Sequence, residues 1–144
     1  MASVFDVAKY ILKKEGKMST WKLQKLCYYA QAWSLAWTGN PIFEEEFQAW
    51  ANGPVCPDLF RLHQGKFSCS EEDLSKGDPN NLNDDQKETV DIIIRDYGKM
   101  DPYELRELTH SEDPWKNARQ GIPEGTYCNN PITTDSMGEY YGSL

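Results

Sequence analysis

The chain is poor in the patterns that announce chemistry. It has two histidines, His63 and His110, in 144 residues. No G-x-G-x-x-G, Walker loop, H-E-x-x-H or G-x-S-x-G occurs, so the usual signatures of dinucleotide, nucleoside triphosphate, zinc-hydrolase and serine-hydrolase sites are missing. The four cysteines, Cys27, Cys56, Cys69 and Cys128, form no C-x-x-C pair, which leaves a zinc ribbon or a redox motif unsupported. Cys56, His63 and Cys69 could meet at an ion, but their spacing matches no common ligand pattern. No metal site and no cofactor is expected. No stretch approaches the ~20 apolar residues that a membrane span needs. The start, Met1 to Asp6, lacks the basic and apolar regions of a signal peptide. These absences predict a soluble, cytoplasmic protein with reduced thiols and no membrane partner. There is no internal repeat and no low-complexity tract.

Positive charge is also scarce: 15 Lys and Arg stand against 23 Asp and Glu, for a net charge of −8. The imbalance is local. Residues 1–66 carry 8 basic and 6 acidic side chains, whereas residues 67–144 carry 7 and 17. Phosphate binding depends on basic patches, so direct nucleic-acid binding is not expected, although a small basic face in the first half is allowed. The acidic second half suits a basic protein surface, because opposite fields steer encounter. Keeping the domain soluble is the blander role for the same charge.

What the chain does have is aromatic mass. Hydrophobic residues make up 39% and aromatics 12%, with 5 Trp, 8 Tyr and 5 Phe, enough apolar surface to argue against disorder. Trp and Tyr carry a polar end, so such a core is tied by hydrogen bonds or reaches the surface. The length fits one domain spanning residues 1–144.

Helical periodicity dominates. Val4, Val7, Ala8, Ile11 and Leu12 form the stripe of a first helix from Ser3 to about Glu15, with Ser3 and Asp6 as a capping-box start, Lys13 and Lys14 near its end, and Gly16 as its stop. Ser19 or Thr20 caps a second helix that ends near Thr38-Gly39-Asn40-Pro41. Its buried stripe is predicted at Leu23, Leu26, Cys27, Ala30, Trp33 or Ser34, and Trp37. Gln24, Tyr28, Gln31 and Leu35 form a second stripe, open to another helix of the domain or to a partner. Alternation over Phe47 to Ala51 before the Asn52-Gly53-Pro54 turn fits a short strand, and a helical turn nearly as well. Pro57 to His63 reads as a short helix with Pro at its start. Residues 68–85 read as a polar surface connection. Asn83 with Gln86, and Asp101-Pro102 with Glu104, open two more helices; Val90, Ile93, Ile94 and Tyr97 line the first, Leu105 and Leu108 anchor the second. Asp113-Pro114-Trp115 repeats that start, with Asp113 as cap. A last helix runs from Thr134 or Ser136 to Tyr141, with Ser136 and Glu139 as a capping box. The predicted fold is mainly α: one compact domain of about seven short helices, with room for a two-stranded β element near residues 42–56.

Few side chains invite chemistry. A Cys–His nucleophile would need Cys27 beside His63 or His110, oriented by Asp113, but Cys27 lies on a buried stripe where cysteine is usually an inert hydrophobe. The acidic runs Glu44 to Glu46, Glu71 to Asp73 and Asp84-Asp85 read as solvated faces. Two constellations remain. One is Trp21, Gln24, Lys25 and Tyr28 at the start of the second helix. The other is Thr109, His110, Ser111 and Asp113 around a helix start, where capping is the competing account for Asp113 and core packing for Trp115.

Three blocks together are specific: Phe5-Asp6-Val7-Ala8-Lys9-Tyr10-Ile11-Leu12; Met18-Ser19-Thr20-Trp21-Lys22-Leu23-Gln24-Lys25-Leu26-Cys27-Tyr28-Tyr29-Ala30-Gln31-Ala32-Trp33; and Phe47-Gln48-Ala49-Trp50-Ala51-Asn52-Gly53-Pro54-Val55. With Leu108-Thr109-His110, Asp113-Pro114-Trp115 and Ile132-Thr133, the pattern resembles the Panacea domain family of SocA-like antitoxins and GepA-like phage-associated proteins, over nearly the whole chain. The resemblance implies an antitoxin, of bacterial, prophage or phage origin, that neutralises a co-encoded toxin by direct contact. It supplies no catalytic residues, so no enzyme activity is expected. Some members carry an added DNA-binding domain; here the 144 residues are taken up by the Panacea domain, so direct promoter binding is not expected. A neutraliser needs a surface, and the contact residues predicted for a toxin are Trp21, Gln24, Lys25, Tyr28, Gln31, Trp50 and His110. The alternatives are a phage-borne interaction protein acting on a host factor and a small hydrolase built on His110 and Asp113. The hydrolase would require those two side chains to converge on one pocket.

Overall fold

The computed structural model describes all 144 residues. Helix α1 (Val4–Glu15) is fixed at both ends by local chemistry. Ser3 Oγ accepts from the Asp6 amide, the Asp6 carboxylate accepts from the Ser3 amide at 2.8 Å, and Gly16 closes the far end beyond Lys13 and Lys14. Its predicted stripe is buried. A two-residue strand, β1 (Met18–Ser19), leads into α2 (Thr20–Thr38), where Ser19 accepts from the Lys22 amide at 3.0 Å and Gly39 ends the helix in the left-handed region.

Helix α2 is the centre of the molecule. Leu23, Leu26, Cys27 and Ala30 are buried as predicted, and so are Gln24, Tyr28, Gln31 and Leu35 of the second stripe. A helix covered on all sides belongs in the interior. Burial fades at its end: Trp33 is half-buried and Trp37 is 50% exposed, so Trp37 does not belong to the core stripe.

The predicted strand pair forms. Strands β2 (Phe47–Trp50) and β3 (Gly53–Val55) are antiparallel, with Ala49 opposite Pro54 and Trp50 opposite Gly53. Phe47 and Ala49 point into the core. Helix α3 (Pro57–His63) follows directly, then β4 (Ser68–Cys69), which pairs with β1. The stretch 68–85 is more than a surface connection. Cys69, Leu74 and Leu82 are buried, the Asp78 amide donates to Asp6 Oδ1 at 2.8 Å, and Gly77 packs so tightly on the Phe5 carbonyl that no side chain fits there. The Asp6 carboxylate that caps α1 thus also anchors this segment, a long-range contact that local polarity conceals.

Helices α4 (Asp84–Tyr97) and α5 (Pro102–Ser111) start on the predicted Asn83–Gln86 and Asp101–Glu104 capping boxes. Helix α6 (Asp113–Ala118) does not start as predicted: Asp113 is its first residue, and Glu112 flanks it without capping. Strand β5 (Pro131–Ile132) joins the hairpin to give the order β3-β2-β5, a third strand that the sequence reading lacks. Helix α7 (Thr134–Gly142) is capped by Thr133, whose Oγ1 accepts from the Ser136 amide at 3.1 Å; the Ser136–Glu139 box is absent because Ser136 is already inside the helix. Seven helices and two small antiparallel sheets close around one cluster of 31 buried apolar residues, so the chain is a single mainly α domain.

Candidate functional site

The second stripe of α2 is covered by the domain itself. Gln24 Oε1 accepts from the Cys56 amide at 2.8 Å, and its Nε2 donates to the Cys56 carbonyl at 3.3 Å and lies 3.0 Å from His63 Nε2. One face further along, Gln31 Oε1 accepts from the Ile42 amide at 2.8 Å while its Nε2 donates to the Phe43 carbonyl at 2.8 Å. Each glutamine therefore binds a passing backbone as a neighbouring strand would, which satisfies buried amides that no regular element serves. Tyr28, between them, meets Tyr29, Phe47 and Tyr141 edge to face. Gln24, Tyr28 and Gln31 therefore do not lie on the molecular surface. Their reach, which suggests a contact face in the sequence, is used to dock the chain onto α2.

Two other members of the predicted set, Trp21 and Lys25, line one small cleft. It measures about 160 Å³ and is lined by Trp21 and Lys25 from α2, Asn52 from the hairpin, and Pro102, Tyr103 and Arg106 from α5. Only 1% of Lys25 is exposed, and its Nζ lies 5.5 Å from the centre of the Trp21 ring, with no carboxylate paired to it. Burial, with the Arg106 guanidinium nearby, pushes its ammonium down from 10.5 to about 7. The aliphatic stem of Lys25 lies across the hairpin at Gly53 (φ +121°): a Cβ there would collide with Lys25 Cε and stand 3.2 Å from Thr109 Oγ1. Arg106 stands at the cleft edge: its Nε donates to Asn52 Oδ1 at 3.4 Å, its Nη1 to Glu107 at 2.9 Å, and its Nη2 is 4.0 Å from Glu124. Tyr103 is 67% exposed. Trp50, on the same hairpin as Asn52, is half-buried against Phe60 and donates to Gln48 at 2.8 Å.

His110 lies behind this face. Its ring stacks on Trp115, with centres 3.8 Å apart, and its Nδ1 is 2.9 Å from Glu124 Oε1. Its Nε2 is buried without a partner. Burial holds the imidazole below its ordinary pKa, against the opposing pull of Glu124. Asp113 is exposed, 3.8 Å from Lys116, in a separate shallow concavity with Asn117, Ser136 and Glu139. The convergence that a hydrolase needs is not found. Cys27 is fully buried and its thiol is raised well above the usual range by burial, which makes it a packing residue. No three His, Cys, Asp or Glu side chains gather as metal ligands, and His63 is taken up by Gln24.

Two buried charges had no signal in the sequence. Glu112, where a cap would be expected, accepts from the hydroxyls of Tyr29 at 2.7 Å and Tyr141 at 2.8 Å, and burial raises its carboxyl. Arg119 ties the irregular stretch after α6 to the sheet, donating to the carbonyls of Ala49 (2.8 Å), Pro123 (2.9 Å) and Thr126 (2.6 Å). Arg106 and Tyr103 were missed too, because only the fold brings α5 against the start of α2.

The domain is small and mainly helical, with an aromatic and cationic cleft, and its buried glutamines Gln24 and Gln31 are committed to its own backbone. Residues 23–116 match the family described as antitoxin SocA-like, Panacea domain, and the chain belongs to that family. No curated protein and no solved structure matches it. The matched stretch runs from α2 into α6 and holds every cleft residue except Trp21, while α1, β5 and α7 lie outside it. No helix is long and apolar enough to cross a membrane.

Proposed function

We propose that this protein is an antitoxin that neutralises a cognate protein toxin by direct contact in the cytoplasm, the toxin being encoded beside it in a bacterial, prophage or phage genome. Membership of an antitoxin family supports the class and makes a protein toxin the expected partner. The contact face is centred on the cleft, with Trp21, Lys25 and Trp50 as anchors and Tyr103 and Arg106 completing it. His110 acts from behind by holding Glu124 at the edge. The observation that carries this placement is the cleft itself, where two aromatic rings and two cations stand together at a solvent-open junction of α2, the hairpin and α5. Trp, Tyr and Arg are the side chains that tend to dominate interface energetics. The acidic second half of the chain adds attraction for a basic toxin surface.

The test is co-purification of the toxin with single variants. Trp21→Ala and Trp50→Ala are expected to weaken binding by ~2 kcal/mol each, or about thirtyfold. Trp37→Ala is the control: Trp37 is half exposed and sits at the other end of α2, about 24 Å along the helix. If Trp37→Ala weakens binding and the other two do not, the face is misplaced.

A further inference from the structure

We infer that the cleft is a receptor for a single carboxylate of the toxin, an acidic side chain or the chain terminus, received between Lys25 and Arg106 against Trp21 and Tyr103. The inference rests on the antitoxin reading for the identity of the partner, but not for the chemistry of the cleft.

Lys25 is the starting point. A buried ammonium is costly unless it is paired. Here the Nζ forms no ion pair with a carboxylate, and the charge that acts on it is a second cation, Arg106. The two acidic groups near Arg106, Glu107 and Glu124, are exposed and do not line the cleft. A neutral or apolar side chain at position 25 would relieve this cost, so an unpaired lysine held 5.5 Å from the Trp21 ring in the cleft lining is arranged to meet an incoming anion. Gly53 allows the arrangement, since any side chain there would displace Lys25 Cε.

Size and field choose the anion. At about 160 Å³ the cleft is smaller than the ~300 Å³ at which small-molecule sites usually begin, so it takes one side chain or one short end of chain. Arg106 Nε and Nη1 are taken by Asn52 and Glu107, which leaves Nη2 as the donor for an incoming carboxylate, and Lys25 adds a point charge. A net charge of −8 opposes polyphosphates and nucleic acid more strongly than a singly charged group. Trp21 and Tyr103 supply low-polarity walls that strengthen the ion pair by excluding water.

The experiment has a small-probe arm and a partner arm. In the first, the full chain is titrated with acetate, N-acetylglutamate N-methylamide, N-acetylglycine and inorganic phosphate, at ionic strength fixed with chloride. The Trp21 indole N–H and the Lys25 Cε resonances are followed by NMR. Saturable shifts with the carboxylates are expected, lost in Lys25→Met and at least roughly tenfold weaker in Arg106→Gln. Tighter binding of the capped glutamate assigns the source to a side chain, and tighter binding of N-acetylglycine assigns it to a chain end. Absence of shifts in the folded wild type, or a clear preference for phosphate, overturns the inference. Arg106→Gln is at a partly exposed position, so it remains informative if Lys25→Met fails to fold.

In the partner arm, toxin binding is measured for the same variants. A loss of at least tenfold in both is expected, and unchanged binding overturns the carboxylate contact while leaving the antitoxin reading in place. A wild-type chain that binds acetate at Lys25 but rescues no flanking gene overturns the antitoxin reading, with the chemistry of the cleft decided by the small probes alone.

Discussion

Replacing Lys25 by methionine should make the protein's stability, relative to wild type, fall from neutral pH into alkali. Lys25 is 1% exposed, and its ammonium is pushed from 10.5 to about 7 by burial and by Arg106. Between those values the unfolded chain binds a proton that the folded chain does not, so wild-type stability rises with pH across that window. Below about pH 7 both states are protonated and the cost of the buried charge is fully present. Each tenfold difference in proton affinity corresponds to about 1.4 kcal/mol, so the full cost is roughly 5 kcal/mol. Methionine keeps the unbranched stem that lies across Gly53 and removes the charge. The stability of the variant relative to wild type should therefore fall by roughly 3 kcal/mol between pH 6.5 and pH 9.5. Urea unfolding of both proteins at intervals from pH 6 to 10 reads this directly, because titrations common to the two cancel in the difference. A difference that does not change with pH would refute the placement of Lys25 as an unpaired buried cation. The same substitution should abolish acetate binding, so the pH-dependent stability and the recognition would come from one side chain.

Three further substitutions probe the frame of the site. Glu112→Ala leaves the Tyr29 hydroxyl without its acceptor and Tyr141 with only the Tyr28 hydroxyl at 3.2 Å, and should cost ~1–3 kcal/mol, with amide exchange in α7 accelerating more than in α1. Gly53→Ala meets both a positive φ and the Lys25 stem, so a loss of ~2 kcal/mol or more in chemical denaturation is expected, partly restored when Lys25 is shortened to alanine. Tyr28→Phe removes one hydroxyl, 3.2 Å from that of Tyr141, and should lower stability by ~1 kcal/mol without changing toxin binding, since Tyr28 lies beneath the surface.

Much of the frame was legible because it is local. The Ser3, Asn83 and Asp101 caps, the Gly16 and Gly39 stops and the hairpin at Gly53 follow from residue chemistry within a few positions, and all are present. What escaped depends on partners distant in sequence. The stripe of Gln24 and Gln31 is open in the sequence to another part of the domain or to a partner, and only the fold shows residues 42–43 and 56 laid on it. Asp6 reads as a cap, and only the folded chain shows that it also holds residue 78. Asp113 stands where a cap belongs, yet Glu112 takes the flanking position and turns its carboxylate to Tyr29 and Tyr141. At the site, Trp21 and Lys25 could be picked out as polar and aromatic reach at a helix start, but their partners Tyr103 and Arg106 lie some eighty residues away, and nothing in the spacing joins them. That Lys25 would be buried was equally hidden, since lysine almost never is without a partner.

The central claim, that this chain neutralises a protein toxin through the cleft face, is tested most directly by co-expressing it with each flanking gene and measuring growth and co-purification together. One flanking product is expected to arrest growth, the wild-type chain to restore growth and co-purify with it, and Trp21→Ala to do neither as well. Neutralisation through the cleft face is contradicted if no flanking product is toxic, or if growth is restored without a complex between the two proteins.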